Sequence, residues 1–166
     1  MTRRLLGLLI AVLIIVGSAW WRSEGRERIA GAAQWSETRP PINITHIFAG
    51  DINQQGRPVG FHSRPGGKDP FSARVIRIDN QPNAVGIYDA QVEIRHPATG
   101  QWLRKRSTFF PDAMDRQAVI AAILYAYHHR TTGNGTKFRG PSGYGFTIEG
   151  YRLRDGAINT AYPIRQ

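Results

Sequence analysis

"SARVIRIDNQPNAVGIYDAQVEIRH", residues 72–96, decides the fold class. In its second half Tyr88, Ala90, Val92 and Ile94 alternate with Asp89, Gln91, Glu93 and Arg95, the two-residue period of a strand that turns one face to a core. The first half sets Val75, Ile76 and Ile78 among Arg74, Arg77 and Asp79, which also predicts a strand, but its alternation breaks. Ala73 and Val75 fall on one face and Ile76 and Ile78 on the other, so either both faces are partly buried or a bulge shifts the phase. Between the halves, "NQPNAVG" supplies Asn, Pro and Gly for a turn, and the two strands are expected to pair.

Outward from this hairpin, "HPATGQ" gives a second turn and "WLRKRSTFFP" a basic, then aromatic segment closed by Pro111. Asp112 or Asp115 can cap the helix expected over "DRQAVIAAILYAYHHR", where Val119, Ala122, Ile123 and Ala126 recur at helical spacing. "TTGNGTKFRGPSGYG" reads as a loop, and "FTIEGYRLRDGAINTAYPI" as two strands around "RDG". The pattern is α+β, with a predominantly antiparallel sheet and few helices.

The chain begins differently. "MTRR" is a short basic start, and Leu5 to Trp21 is an uncharged apolar run of 17 residues ending in two tryptophans. Residues 1–21 are expected to meet a membrane as a hydrophobic helix, either a transmembrane anchor or a signal peptide. Residues 22–41 lack a sustained period, end in a double proline and read as a linker, which leaves 42–166 as the folded domain. An anchored domain would face the periplasm or the extracellular side; a cleaved leader would release it.

No cysteine is present in the 166 residues, so disulfides, thiolate nucleophiles and Cys-type zinc sites are excluded. The net charge is +10, and the domain alone carries sixteen Lys and Arg against nine Asp and Glu. Such a surplus favours polyanionic partners, nucleic acid or anionic lipid. No phosphate-loop or Ser/His/Asp signature appears, and no His, Asp and Glu cluster has the spacing of a zinc site. His128 and His129 end the predicted helix, where a cation suits the dipole.

His46 and His62 stand in glycine- and arginine-rich surroundings, sixteen positions apart, and "INQQGRPVG" between them can turn the chain so that both face one cleft. Two imidazoles suit a reaction in which one group takes a proton and another gives one, because both protonation states are accessible near neutral pH. Spacing alone also allows two unrelated surface histidines.

Four stretches in order, "THIFAGDINQQGRPVGFHSRPGG", "KRSTFFPDAM", "GPSGYGFTIEGY" and "INTAYP", resemble the bacterial EndoU nucleases, relatives of the eukaryotic EndoU ribonucleases and the coronavirus uridylate-specific endoribonuclease. The resemblance covers the domain and none of the apolar start. It implies an endoribonuclease in which the ribose 2′-hydroxyl attacks the adjacent phosphate, leaving 2′,3′-cyclic phosphate and 5′-hydroxyl ends. It further implies that no cofactor is required, with stimulation by Mn2+ compatible with the family.

By the same resemblance His46 and His62 match the two catalytic histidines, His62 as base and His46 as acid. Lys105 matches the lysine that stabilises charge on the phosphorane. Thr160 and Tyr162 match the pair that meets the nucleotide, Thr160 at the base and Tyr162 by its ring. The partner implied is RNA, with uridylates favoured, and toxin use by relatives leaves room for a cognate immunity protein. The rival reading is a non-catalytic, membrane-anchored module that binds RNA or another polyanion through its basic face.

Overall fold

The computed structural model describes residues 33–131 and 135–165. The apolar start expected to meet a membrane lies outside the described residues, as does the linker up to residue 32. Among the described residues no helix is long and apolar enough to cross a membrane. Residues 33–41 are tied to the domain: Trp35 bridges Asn43, and the carbonyl of Gln34 accepts from the amide of Ile44 at 2.7 Å.

In chain order come a five-residue helix α1 (Ile44–Phe48), the short strands β1 (Asp51–Ile52) and β2 (Pro58–Val59), and a one-turn 3-10 helix at Pro65–Gly67. Strands β3 (Ala73–Asn80), β4 (Tyr88–Arg95) and β5 (Trp102–Phe109) follow, then helix α2 (Arg116–His128) and strands β6 (Lys137–Pro141), β7 (Thr147–Arg152) and β8 (Ile158–Ile164). All strand pairs are antiparallel, in three sheets ordered β1-β2, β3-β4-β5 and β6-β7-β8.

The imperfect alternation of β3 has the second of the two causes its sequence allowed. Its register against β4 shifts between Val75 and Arg77 and again between Ile78 and Asn80, so irregularities rotate the side chains out of phase. On β4 the inward set Tyr88, Ala90, Val92 and Ile94 is 2 % exposed or less. Two residues of its polar face are covered as well, because Arg74 and Arg104 close over Glu93 while Arg106, Asn80 and Thr108 close over Asp89.

Each larger sheet has its own core. Phe61, Ala73, Val92, Ile94 and Phe109 pack beneath β3-β4-β5, while α1 and α2 cover one face of β6-β7-β8 with Ile47, Val119, Ile123, Phe138, Ile148 and Ile158. Full burial of each Val, Ile or Phe side chain among these contributes about 1.5–3 kcal/mol. Gly140 lets α2 lie close to the sheet, since a Cβ there would sit 2.0 Å from the carbonyl oxygen of Ala126.

The α2 cap is Asp115, which accepts from the amide of Ala118 at 2.7 Å. β1, β2 and the 3-10 turn have no counterpart in the sequence reading, and two further elements depart from it. Lys137–Pro141 was expected within a loop and is instead an edge strand; exposed and buried residues alternate along all five positions, but Gly140 and Pro141 hide that alternation in the sequence. Ile44–Phe48 is a single helical turn, too short for periodicity to register; it forms because Asn43 caps it, accepting from the amide of His46 at 3.0 Å. Asn43 also donates its side-chain amide to Asn159 at 3.0 Å and its backbone N–H to the carbonyl of Ile158 at 2.9 Å, which fixes the His46 turn to β8.

Candidate active site

The strands β5 and β8, edges of separate sheets, lie against each other. Inward-facing Lys105 comes from β5, Thr160 and Tyr162 come from β8, and the segment from α1 to Ser63 delivers both histidines. The structure therefore brings the five residues expected from sequence to one region, by three independent routes along the chain.

His62 is the best-fixed of them. Its segment is clamped on both sides, the amide of His62 donating to Ile47 at 2.8 Å and its carbonyl accepting from Phe110 at 2.8 Å. Nδ1 of the ring lies 3.0 Å from the carbonyl oxygen of Thr108. A carbonyl only accepts, so Nδ1 carries the proton and a neutral His62 has Nε2 as a free base. The ring centroid lies 6.2 Å from that of His46 and 5.2 Å from that of Tyr162, with interplanar angles of 27° and 32°.

Both imidazoles are 9 % exposed or less. Burial, reinforced by the neighbouring Lys105 cation, lowers the His46 pKa from 6.5 to about 4. The same two causes, with His46 third, push His62 well below its usual value against the opposing effect of the hydrogen bond it donates to the Thr108 carbonyl. At neutral pH the free protein thus holds both rings uncharged.

Lys105 supplies the positive charge. Its ammonium donates to the carbonyl of Gly60 at 2.9 Å and to Ser107 Oγ, and Ser107 donates to the same carbonyl at 3.1 Å. Both partners are neutral oxygens, and burial lowers the Lys105 pKa to about 8. Among the described residues no carboxylate pairs with it. A mostly cationic ammonium beside two neutral imidazoles is an anion site with one base already oriented.

The backbone between the histidines is built for this approach. Gly60 has φ +74°, and a Cβ there would stand 2.2 Å from the carbonyl oxygen of His46 and 2.8 Å from its ring Cδ2. Phe61 follows with φ 60°, a left-handed conformation uncommon for an aromatic residue, held by complete burial. Strain at such a position costs on the order of 1–3 kcal/mol and is maintained by the packing around it.

On β8, the hydroxyl of Tyr162 donates to Glu149 at 2.7 Å. Thr160 Oγ1 is buried and has no hydrogen-bond partner among the described residues. Thr160 and Tyr162 are two apart on one strand and share a face, as the sequence spacing required. Glu149, Ser107, Thr108 and Gly60 were not singled out from sequence. Glu149 stood inside a quoted motif, but only the register that sets it directly opposite Tyr162 reveals its contact.

The other histidines lie elsewhere, His129 following α2 as its C-cap with Nδ1 2.9 Å from the carbonyl of Tyr125. Among the described residues no group of three or more His, Cys, Asp or Glu side chains is placed to hold a metal ion.

Paired imidazoles, a buried ammonium and the Tyr162 ring thus meet at one place in the fold. The family profile "Bacterial EndoU nuclease" matches residues 42–165, and the chain belongs to that family of nucleases. It is similar to a protein from Bacillus cereus named "Toxin", with 32 % identity over 142 residues that make up 85 % of this chain and 26 % of that protein. The chain therefore spans about a quarter of the length of this relative. No solved structure gives a significant match.

Proposed function

We propose that the domain is an endoribonuclease that cleaves its substrate by internal attack of the ribose 2′-hydroxyl. The observation that carries this reading is the buried Lys105 ammonium, paired only with neutral oxygens, beside two neutral imidazoles of which one has a fixed tautomer. His62 Nε2 takes the 2′-hydroxyl proton, the 2′-oxygen bonds to phosphorus, and the bond from phosphorus to the 5′-oxygen breaks. His46 protonates the departing oxygen, so the products are a 2′,3′-cyclic phosphate and a 5′-hydroxyl. Each proton transfer contributes about 10²- to 10⁴-fold in rate.

As acid, His46 must be charged, although the free protein holds its pKa at about 4. The substrate resolves this. A phosphodiester seated at Lys105 cancels much of the cation's effect and lies beside the imidazolium, so its arrival raises the His46 pKa. Lys105 then offsets the second negative charge that develops on the phosphorane. The nucleophile belongs to the RNA, which fits a chain with no activated serine or cysteine.

Thr160 gives the reading its base preference: a buried hydroxyl lacking a partner is suited to the edge of a uracil, with the Tyr162 ring against the nucleotide. The mechanism as proposed requires no resident metal. Incubating the chain with mixed-sequence RNA in EDTA and mapping the product ends tests these points together. Cleavage 3′ of uridines by the wild type and its loss in His62→Ala support the reading, whereas persistent cleavage by the variant refutes the assigned base. RNA that is bound and never cut would leave the binding-module alternative.

The toxin relative supports use against other cells, with a cognate immunity protein covering the cleft as partner. The apolar start supports anchoring or export, which would separate the domain from the RNA of its own cell; fractionation of tagged full-length chain tests that placement.

A further inference from the structure

The open face of β6-β7-β8 carries one acidic residue among basic and hydroxyl-bearing side chains. In register across the sheet, Arg139, Glu149 and Tyr162 form one row, and Lys137, Tyr151 and Thr160 the next. Glu149 is 4 % exposed and accepts from four donors. One oxygen takes the hydroxyls of Tyr162 at 2.7 Å and Tyr151 at 2.9 Å; the other takes Lys137 at 3.0 Å and Arg139 Nε. Hydrogen bonds from these donors hold its pKa at about 2 against the opposing effect of burial.

We propose that Glu149 is the positioning residue of this site, holding the Tyr162 phenol so that the ring, and not the hydroxyl, meets the substrate nucleotide. The inference rests on the proposed role of Tyr162 but adds its orientation and the group responsible. The Tyr162 hydroxyl is committed as a donor to a carboxylate that is itself saturated, so it is not free to donate to the leaving oxygen. Its ring is left lying against His62, 5.2 Å between centroids. Two cations on one carboxylate also leave the cluster with one positive charge in excess, so the anion that fixes Tyr162 does not repel a phosphate.

A double-mutant cycle tests this. Glu149→Gln and Tyr162→Phe are each expected to lower kcat/KM on an RNA oligonucleotide by about tenfold, through a misplaced ring, and the double variant no further than the worse single one. Independent, multiplying effects would overturn the proposal. Tyr151→Phe removes the other phenol from the same oxygen and is expected to stay within about twofold of wild type; a loss equal to that of Tyr162→Phe would overturn the assignment. If Glu149→Gln does not fold, Glu149→Asp keeps the charge and withdraws it by one methylene, and the same non-additivity is required.

A second readout needs no cleavage, so its failure is distinct from failure of the enzyme reading. The difference in alkaline absorbance titration between wild type and Tyr162→Phe isolates the Tyr162 phenol, whose ionisation is displaced above the usual value by burial and by Glu149. Glu149→Gln is expected to bring that midpoint down. An unchanged midpoint would contradict the contact.

Discussion

Lys105 is anchored to the same residue whose missing side chain admits His46: its ammonium donates to the Gly60 carbonyl at 2.9 Å, and a Cβ on Gly60 would meet His46 within 2.2 Å. Lys105 and His46 are thus both referenced to one residue.

Substitution Gly60→Ala is expected to abolish cleavage, because φ +74° and the His46 carbonyl both oppose a side chain there. The displaced segment carries the Lys105 anchor and His62 with it. A fall of at least about 10²-fold in kcat, with the domain still folded by circular dichroism, is the expected result; wild-type rates would show that the approach of Gly60 to His46 is unimportant.

Lys105→Met is expected to trade activity for stability. The ordinary lysine pKa is 10.5 and the folded one about 8, so between these values the unfolded chain binds more protons and folding strengthens as pH rises. At pH 7 the buried charge is present at its full cost, and an apolar side chain of similar length removes it. Thermal unfolding should show a gain on the order of 1–3 kcal/mol alongside loss of cleavage. Destabilisation at pH 7 would mean that the ammonium supports the fold more than it strains it.

How much of this was legible in the sequence follows from the range of each interaction. Val92 and Ile94 on β4, and Val119 and Ile123 on α2, declare their elements through local periodicity, and the phase break at Ile76 announced the irregular register of β3. The edge strand Lys137–Pro141 has too little alternation to register, and the turn at Ile44–Phe48 exists because Asn43 caps it and binds β8. The five site residues were legible through resemblance. Glu149 was not, because its partners Lys137, Arg139, Tyr151 and Tyr162 come from three strands whose register no local pattern reports.

Acid should weaken the fold through the same histidines that serve the site. His46 has an ordinary pKa of 6.5 and a folded one of about 4, so between those values the unfolded chain binds more protons. Stability is complete above pH 6.5 and declines as pH falls toward 4, on the order of 3 kcal/mol from His46, with His62 adding in the same direction. Proton NMR of the imidazole C–H resonances should place the His46 midpoint near 4 in the free protein and higher with a bound 2′-deoxy oligonucleotide. A midpoint that stays put on binding would contradict the role of His46 as acid.

Under the proposed mechanism the substrate's own 2′-hydroxyl attacks the phosphate held among Lys105, His46 and His62. An oligonucleotide of 2′-deoxy residues containing a single ribouridine, incubated with the chain in EDTA and analysed by mass spectrometry, tests it most directly. One cut is expected, on the 3′ side of the ribouridine, with a 2′,3′-cyclic phosphate on one product and a 5′-hydroxyl on the other. Cleavage at any deoxynucleotide, or ends bearing a 5′-phosphate, would contradict it.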